Sequence, residues 1–288
     1  MVYGMSFICL FDPWKGPLCT CPPKYTLNPY TGCEHGCLYC YITSFIPHAF
    51  TVREKRDLLK KVEREIARLD QSLYLSLSNS SDPYPRGEEK RGYTRSILKM
   101  CGERNLPVLI LTKSPLVLRD IDLLKKMNAA VSITITTIDD QKSNILEPRA
   151  PRVTERIQAI KHLAREGIPT ILRLDPIILG LNDDLEEWKE ILHLLKPYLK
   201  QVVVSTFKPR PDSWSRIACA FPHLAETREY YSEKIGNSLY LPKEKRKEML
   251  STLRNLAHQL GIPFSSCREG LSSWNDLQCD GSSLLTNQ

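Results

Sequence analysis

The chain has 288 residues, 42% apolar, 25% charged and 8% aromatic, a globular composition at a length suited to one large domain or two small ones. No run approaches the roughly 18 apolar residues of a membrane span, and residues 1–17 lack the basic and then apolar stretch of a secretory leader, so a cytoplasmic protein is expected. Lys and Arg outnumber Asp and Glu by 40 to 33, a net charge of +7 that suits an anionic partner and an ordinary soluble surface equally.

A first strand is expected near Tyr25–Pro29. Asp57–Asp70 then places Leu58, Leu59, Val62, Ile66 and Leu69 on one face of a helix. Ser72–Ser78 alternates Leu73, Leu75 and Leu77 as a strand, and Tyr93–Arg104 reads as helix. Pro107–Thr112 is a continuous apolar run of strand length, as in a strand buried on both faces. Leu118–Met127 reads as helix and the β-branched stretch Ala130–Thr137 as strand. Arg152–Glu166 is an amphipathic helix closed by Gly167, and Pro169–Asp175 is a strand. Asp183 and Asp184 cap a helix carrying Trp188, Ile191 and Leu195, and Gln201–Thr206 follows as strand. Six βα units argue for a parallel sheet with helices outside, either an open doubly wound sheet or a partial (βα)₆ barrel. From Phe207 the strand signal stops; a basic helix, Glu244–Leu260, and a Cys-bearing tail complete the chain, with Ser282–Gln288 expected to fray.

Ten cysteines are too few for a disulfide scaffold, and spaced thiols in such a chain point to metal. Cys33, Cys37 and Cys40, spaced C-x₃-C-x₂-C, follow the first strand in a tight loop. Three thiolates there suit a [4Fe–4S] cluster with one iron left open, or a zinc ion completed by His35.

The spacing, with Tyr39 before the last Cys, resembles the signature of the radical SAM superfamily. The run Asn28-Pro29-Tyr30-x-Gly32-Cys33 to Tyr41 is similar to the branch that contains spore photoproduct lyase. Six further stretches match that branch in order: 81–84, 111–114, 118–120, 133–136, 147–151 and 175–178. The resemblance implies a partial barrel over 25–206, with a Cys-containing extension over 1–24 and a mostly helical lobe over 207–288. It implies S-adenosylmethionine on the open iron, an external one-electron donor, and hydrogen abstraction by a 5′-deoxyadenosyl radical. Residue by residue, it implies Asn79 and Ser81 for the amino group of S-adenosylmethionine and Lys113 for its carboxylate. Thr134 and Thr136 fall to the ribose and Tyr39 to the adenine. Glu147, Arg149 and Arg173 lie on the same rim, where α/β folds put their ligands. Each also has a duller assignment as a rim ion pair, a turn or strand filler. Oligomeric state is not legible.

In the lyase a cysteine just before the Ser-Asp pair returns a hydrogen atom to the product; here Ser78–Asp82 has none, which argues against thymine-dimer repair. Cys19, Cys21, Cys267 and Cys279 form an outlying set, expected to converge from both ends of the chain on a second [4Fe–4S] cluster, with a four-thiolate zinc site the main competitor and unrelated thiols the third choice. Cys9 is spare; Cys101 and Cys219 are expected as small core residues.

The strip Arg53, Lys55, Arg56, Lys60, Lys61, Arg64 and the run Lys243–Lys247 either track phosphates or form solvated helix faces. Phe207–Pro211 is expected at the substrate mouth, and Tyr230, Tyr231 and Tyr240 either stack on bases or pack. A nucleic acid is the favoured substrate. The rivals are a zinc-stabilised nucleic-acid-binding module without catalysis and an electron-transfer or scaffold iron–sulfur protein.

Overall fold

Short apolar runs, buried on both faces, build the centre of the molecule. The computed structural model describes residues 6–11, 18–236 and 238–285. Its strands are β1 (Cys9–Leu10), β2 (Tyr25–Leu27), β3 (Leu75–Leu77), β4 (Val108–Thr112), β5 (Ala129–Thr134), β6 (Thr170–Ile177), β7 (Gln201–Thr206), β8 (Glu233–Ile235), β9 (Ser238–Tyr240) and β10 (Phe264–Ser266). Its helices are α1 (Leu58–Ile66), α2 (Glu88–Arg91), α3 (Tyr93–Glu103), α4 (Ile121–Leu124), α5 (Asp140–Leu146), α6 (Val153–Arg165), α7 (Leu185–Leu195), α8 (Pro211–Ala220) and α9 (Lys243–Gln259).

Strands β2 to β7 lie side by side in chain order, all parallel, with β1 antiparallel on β2. β10 pairs parallel with β7, Phe264 opposite Val202, and adds a seventh parallel strand. β1 and β10 are the edges of this sheet, and among the described residues no pairing closes them. The architecture is therefore the expected α/β partial barrel, left open.

Side-chain alternation sorts the two faces of the sheet. Val108, Ile110, Val131, Leu172, Val202 and Val204 face the helices. Leu109, Ala130, Ile171 and Val203 face inward, where Leu285 of the C-terminal tail covers them. Fully burying such a side chain stabilises the fold by roughly 1.5–3 kcal/mol. The α7 cap forms as its sequence requires: the Glu187 amide donates to Asp184 Oδ1 at 2.8 Å.

Several elements depart from expectation, each for a local reason. The Leu118–Met127 helix is instead a 3₁₀ segment, Pro115–Asp120, running into the short α4. Ser114 caps it through the Leu116 amide, and buried Asp120 is held by Arg95 and Arg119. The strand expected to reach Thr137 ends at Thr134, and α5 follows, capped by Asp139. Past Phe207 the strands resume as the β8–β9 hairpin and β10. Cys219, expected in the core, is exposed on α8, whereas Cys101 is buried. Where fraying was expected from Ser282, a 3₁₀ turn spans Ser282–Leu284; residues 286–288 lie outside the described residues, as do 1–5 and 12–17 of the segment assessed for a leader. No described helix is long and apolar enough to cross a membrane.

Candidate functional site

The carboxyl ends of the parallel strands open into a cavity of about 360 Å³. The Cys loop follows β2 into it. Gly32 turns the chain at φ +79°, where a Cβ would lie 2.2 Å from the Thr51 carbonyl oxygen. Backbone bonds then dock the loop: Cys33 N donates to Ala49 O at 2.8 Å, Leu38 N to Leu146 O at 2.8 Å, and Arg149 N to His35 O at 3.1 Å. From α8, Arg216 Nε and Nη2 donate to the carbonyls of Leu38 and Cys40 at 2.9 and 2.8 Å.

Cys33, Cys37 and Cys40 all line the cavity. Burial, helped by Asp82, pushes the Cys33 thiol up to about 12, and burial also raises Cys37 and Cys40. As free thiols they keep their protons at neutral pH. His35 lines the cavity with its Nδ1 3.7 Å from Asp82 Oδ2. Among the described residues, no three His, Cys, Asp or Glu side chains form a site for a single metal ion.

Tyr39, Asn79, Ser81, Lys113, Thr134 and Arg173 line the same cavity. Asn79 Nδ2 donates to Thr26 Oγ1 at 2.5 Å, and its carbonyl accepts from the Tyr41 hydroxyl. Ser81 Oγ donates to Tyr30 O at 3.0 Å. Asp82 ties the strand ends together, accepting from Thr112 Oγ1 and Lys113 N, both at 2.8 Å. Lys113 Nζ stands 3.9 Å from Glu147 Oε1 and 5.6 Å above the Tyr39 ring. Arg173 pairs with Asp175 at 2.9 Å.

Thr136, Glu147 and Arg149 do not line the cavity. Buried Glu147 pairs with Arg156, and accepts from the Tyr39 hydroxyl and from Thr136 Oγ1 at 3.0 Å. Burial opposes ionisation of Glu147, but Arg156 and Lys113 outweigh it and hold its carboxyl below the usual range. This network braces the wall from behind. Arg149 lies under the Cys loop, its Nη2 2.7 Å from where a Cβ on Gly36 would stand.

The outlying thiols of Cys19, Cys21, Cys267 and Cys279 line the cavity as well. Of the stretch placed at the mouth, Phe207, Lys208 and Arg210 line it. Sequence reasoning missed Arg216, Lys24 and Arg268. Arg216 falls after the last strand it could read, and Lys24 and Arg268 sit beside cysteines whose positions only tertiary structure fixes.

The lining holds six Lys or Arg residues against three Asp. None comes from the two basic strips. Arg56 is almost fully exposed, Lys245 and Lys247 pair with Glu248 and Glu244, and Arg246 is buried against Glu269 and Glu233. Arg53, Lys55 and Arg56 precede α1, the rest of the first strip lies on it, and the second strip is a face of α9 with a core ion pair. Tyr231 and Tyr240 are buried, Tyr231 against Phe207 and Trp214, while Tyr230 is exposed.

The profile of the radical SAM superfamily matches residues 27–195, more than half of the chain. An uncharacterised protein of Methanocaldococcus jannaschii is 34% identical over 167 residues, covering 56% of this chain and 62% of that protein. A radical SAM Nα-GlyT isomerase of Pseudomonas phage M6 is 23% identical over 84% of this chain and 53% of its own length. The chain thus spans between about half and two thirds of these relatives. Among solved structures, a spore photoproduct lyase variant with bound AdoMet and dinucleoside spore photoproduct superposes with a TM-score of 0.64 at 19% identity, over 89% of this chain and 78% of that one. SuiB of Streptococcus suis bound to S-adenosylmethionine gives 0.56 at 15% identity, over 84% and 49%. By its matched profile, the chain belongs to the radical SAM superfamily.

Proposed function

We propose that Cys33, Cys37 and Cys40 hold the [4Fe–4S] cluster of a radical SAM enzyme, that the same cavity receives S-adenosylmethionine, and that the substrate is a nucleic acid. Membership of the superfamily implies the cluster, S-adenosylmethionine and an external one-electron donor. One observation carries the residue assignment: three thiols of a single docked loop line one cavity with Lys113, Asn79, Thr134 and Arg173. The donor set fits. Three thiolates leave one cluster position for a chelating ligand, and Lys113, 5.6 Å above the Tyr39 ring, offers a carboxylate a point charge.

When bound, the pair supplies reductive cleavage to a hydrogen-abstracting 5′-deoxyadenosyl radical. The chain's own residues do the holding. Arg216 and the Ala49 carbonyl fix the loop, Asp82 fixes the strand ends, and Glu147 with Thr136 fixes Tyr39. Ser78, Asn79, Ser80 and Ser81 line the cavity where the lyase would carry its hydrogen-donating thiol, so the reaction is one other than dimer cleavage by that route. All ten cysteines are free, which suits the cytoplasm.

For the substrate, support comes from the excess of cations on the lining and from Arg210, stacked 4.9 Å over Phe45 beside the cavity as a platform for a base. The fold neighbour with a bound dinucleoside adds analogy. Reduced anaerobically with S-adenosylmethionine, the protein is expected to form 5′-deoxyadenosine faster when DNA or RNA oligonucleotides are added, and to carry deuterium from labelled nucleic acid into it. Stimulation by a peptide and by no oligonucleotide would overturn the substrate assignment.

A further inference from the structure

The proposed first cluster uses three of the seven cysteines on the cavity wall. The other four arrive on three separate stretches of chain. Cys19 and Cys21 precede β2, Cys267 follows β10 directly, and Cys279 lies in the C-terminal tail. Their side chains border one cavity, and the stretch that carries Cys19 and Cys21 touches Cys279 directly. Independent contacts deliver each one. Lys24, just past Cys21, is buried and paired with Asp280, just past Cys279, at 2.7 Å, and the Tyr74 hydroxyl donates to the same carboxylate. Thr20 Oγ1 lies 3.7 Å from Cys279 Sγ. Cys267 N donates to Val204 O at 2.8 Å, which continues the β10–β7 ladder into the thiol.

Four neighbouring thiols in a cavity have no packing reason to be there, since free cysteine elsewhere in a fold serves as a small apolar filler, as Cys101 does here. They are a soft-metal donor set. We infer that Cys19, Cys21, Cys267 and Cys279 bind a second metal centre, a [4Fe–4S] cluster that joins the two ends of the chain on the wall of the radical cavity.

Charge supports it. Four thiolates around a [4Fe–4S]²⁺ core leave two negative charges, and the cations Lys24 and Arg173 line the same cavity. A cluster, in preference to one ion, follows from placement. A cluster is larger than a single ion and needs room beside its ligands. Both sets border open cavity space. Transfer of a preformed [4Fe–4S]²⁺ core to the four thiols releases four protons and involves no change of oxidation state.

The inference rests on the cavity assigned above, and metal counting separates the two. Anaerobically reconstituted full-length protein is expected to hold about eight irons and eight sulfides per chain. The Cys33→Ala, Cys37→Ala, Cys40→Ala triple variant should keep about four, with a cluster spectrum that S-adenosylmethionine does not perturb, and this variant leaves the termini untouched should a terminal variant fail to fold. Cys19→Ser with Cys21→Ser should fall to about four irons, and Cys9→Ser, on an exposed residue, should fall by none. About four irons plus one zinc in the wild type would overturn the cluster, leaving a four-thiolate zinc site. Four irons in the wild type and none in the triple variant, without zinc, would overturn the site while leaving the first cluster standing.

Discussion

At Lys113, burial and charge oppose one another. Desolvation alone lowers its pKa, while Cys37, once ionised as a cluster ligand, and Glu147 raise it by more, so the ammonium stays charged on the cavity wall. Replacing it with methionine keeps the bulk and removes the charge. Lys113→Met is expected to weaken S-adenosylmethionine binding about 10- to 100-fold, the worth of one charge-assisted contact of about 1.5–3 kcal/mol, while iron content is unchanged. Equilibrium dialysis beside iron analysis reads both. Glu147 behaves differently because its partner Arg156 is also buried. Glu147→Gln leaves that guanidinium without its counter-charge, and about 3–5 kcal/mol of stability should be lost, seen as a lower urea midpoint. The folded carboxyl is held below its unfolded value, so its contribution is complete above the unfolded pKa and fades only as pH falls through the lowered folded one. The stability difference between the wild type and the Glu147→Gln variant should therefore be flat above about pH 5 and shrink below it. A difference that grew on acidification would contradict this sign.

Elements differ in how far their own residues declare them. β4 and β5 are legible because Val108–Thr112 and Ala129–Thr134 are apolar and buried on both faces. α7 is legible because Asp184 caps an amphipathic face. Asp184→Ala should cost about 1 kcal/mol, as a shift in thermal midpoint shows. β10 is not legible: two of its three residues are serines, buried because Ser265 bonds to Gln201 and Leu277 and Ser266 to Asn275. Those partners exist only after folding. Of the site, the Cys loop and the strand-end residues Asn79, Lys113 and Thr134 could be found from spacing and resemblance. The diversion of Thr136 and Tyr39 onto Glu147 could not, because it depends on Arg156 reaching back from α6. Gly281 is a further hidden device. At φ +96° its Cβ would lie 2.2 Å from Ile171 Cδ1, so Gly281→Ala should loosen the tail and expose it to limited proteolysis before the barrel unfolds.

Across the whole molecule, six parallel strands converge on one end, the seventh brings Cys267 there, and the tail closes over the inner face with Cys279. The stretches around Cys19 and Cys279 thus meet at the cavity that the Cys loop enters from β2. Superfamily membership makes S-adenosylmethionine cleavage the property on which every other assignment depends. The most direct test is to reduce the reconstituted protein with S-adenosylmethionine under anaerobic conditions and measure 5′-deoxyadenosine, beside the Cys33→Ala, Cys37→Ala, Cys40→Ala variant. The account predicts 5′-deoxyadenosine from the wild type and none from the variant. Equal amounts from both, or none from a wild type that carries its iron, would contradict it.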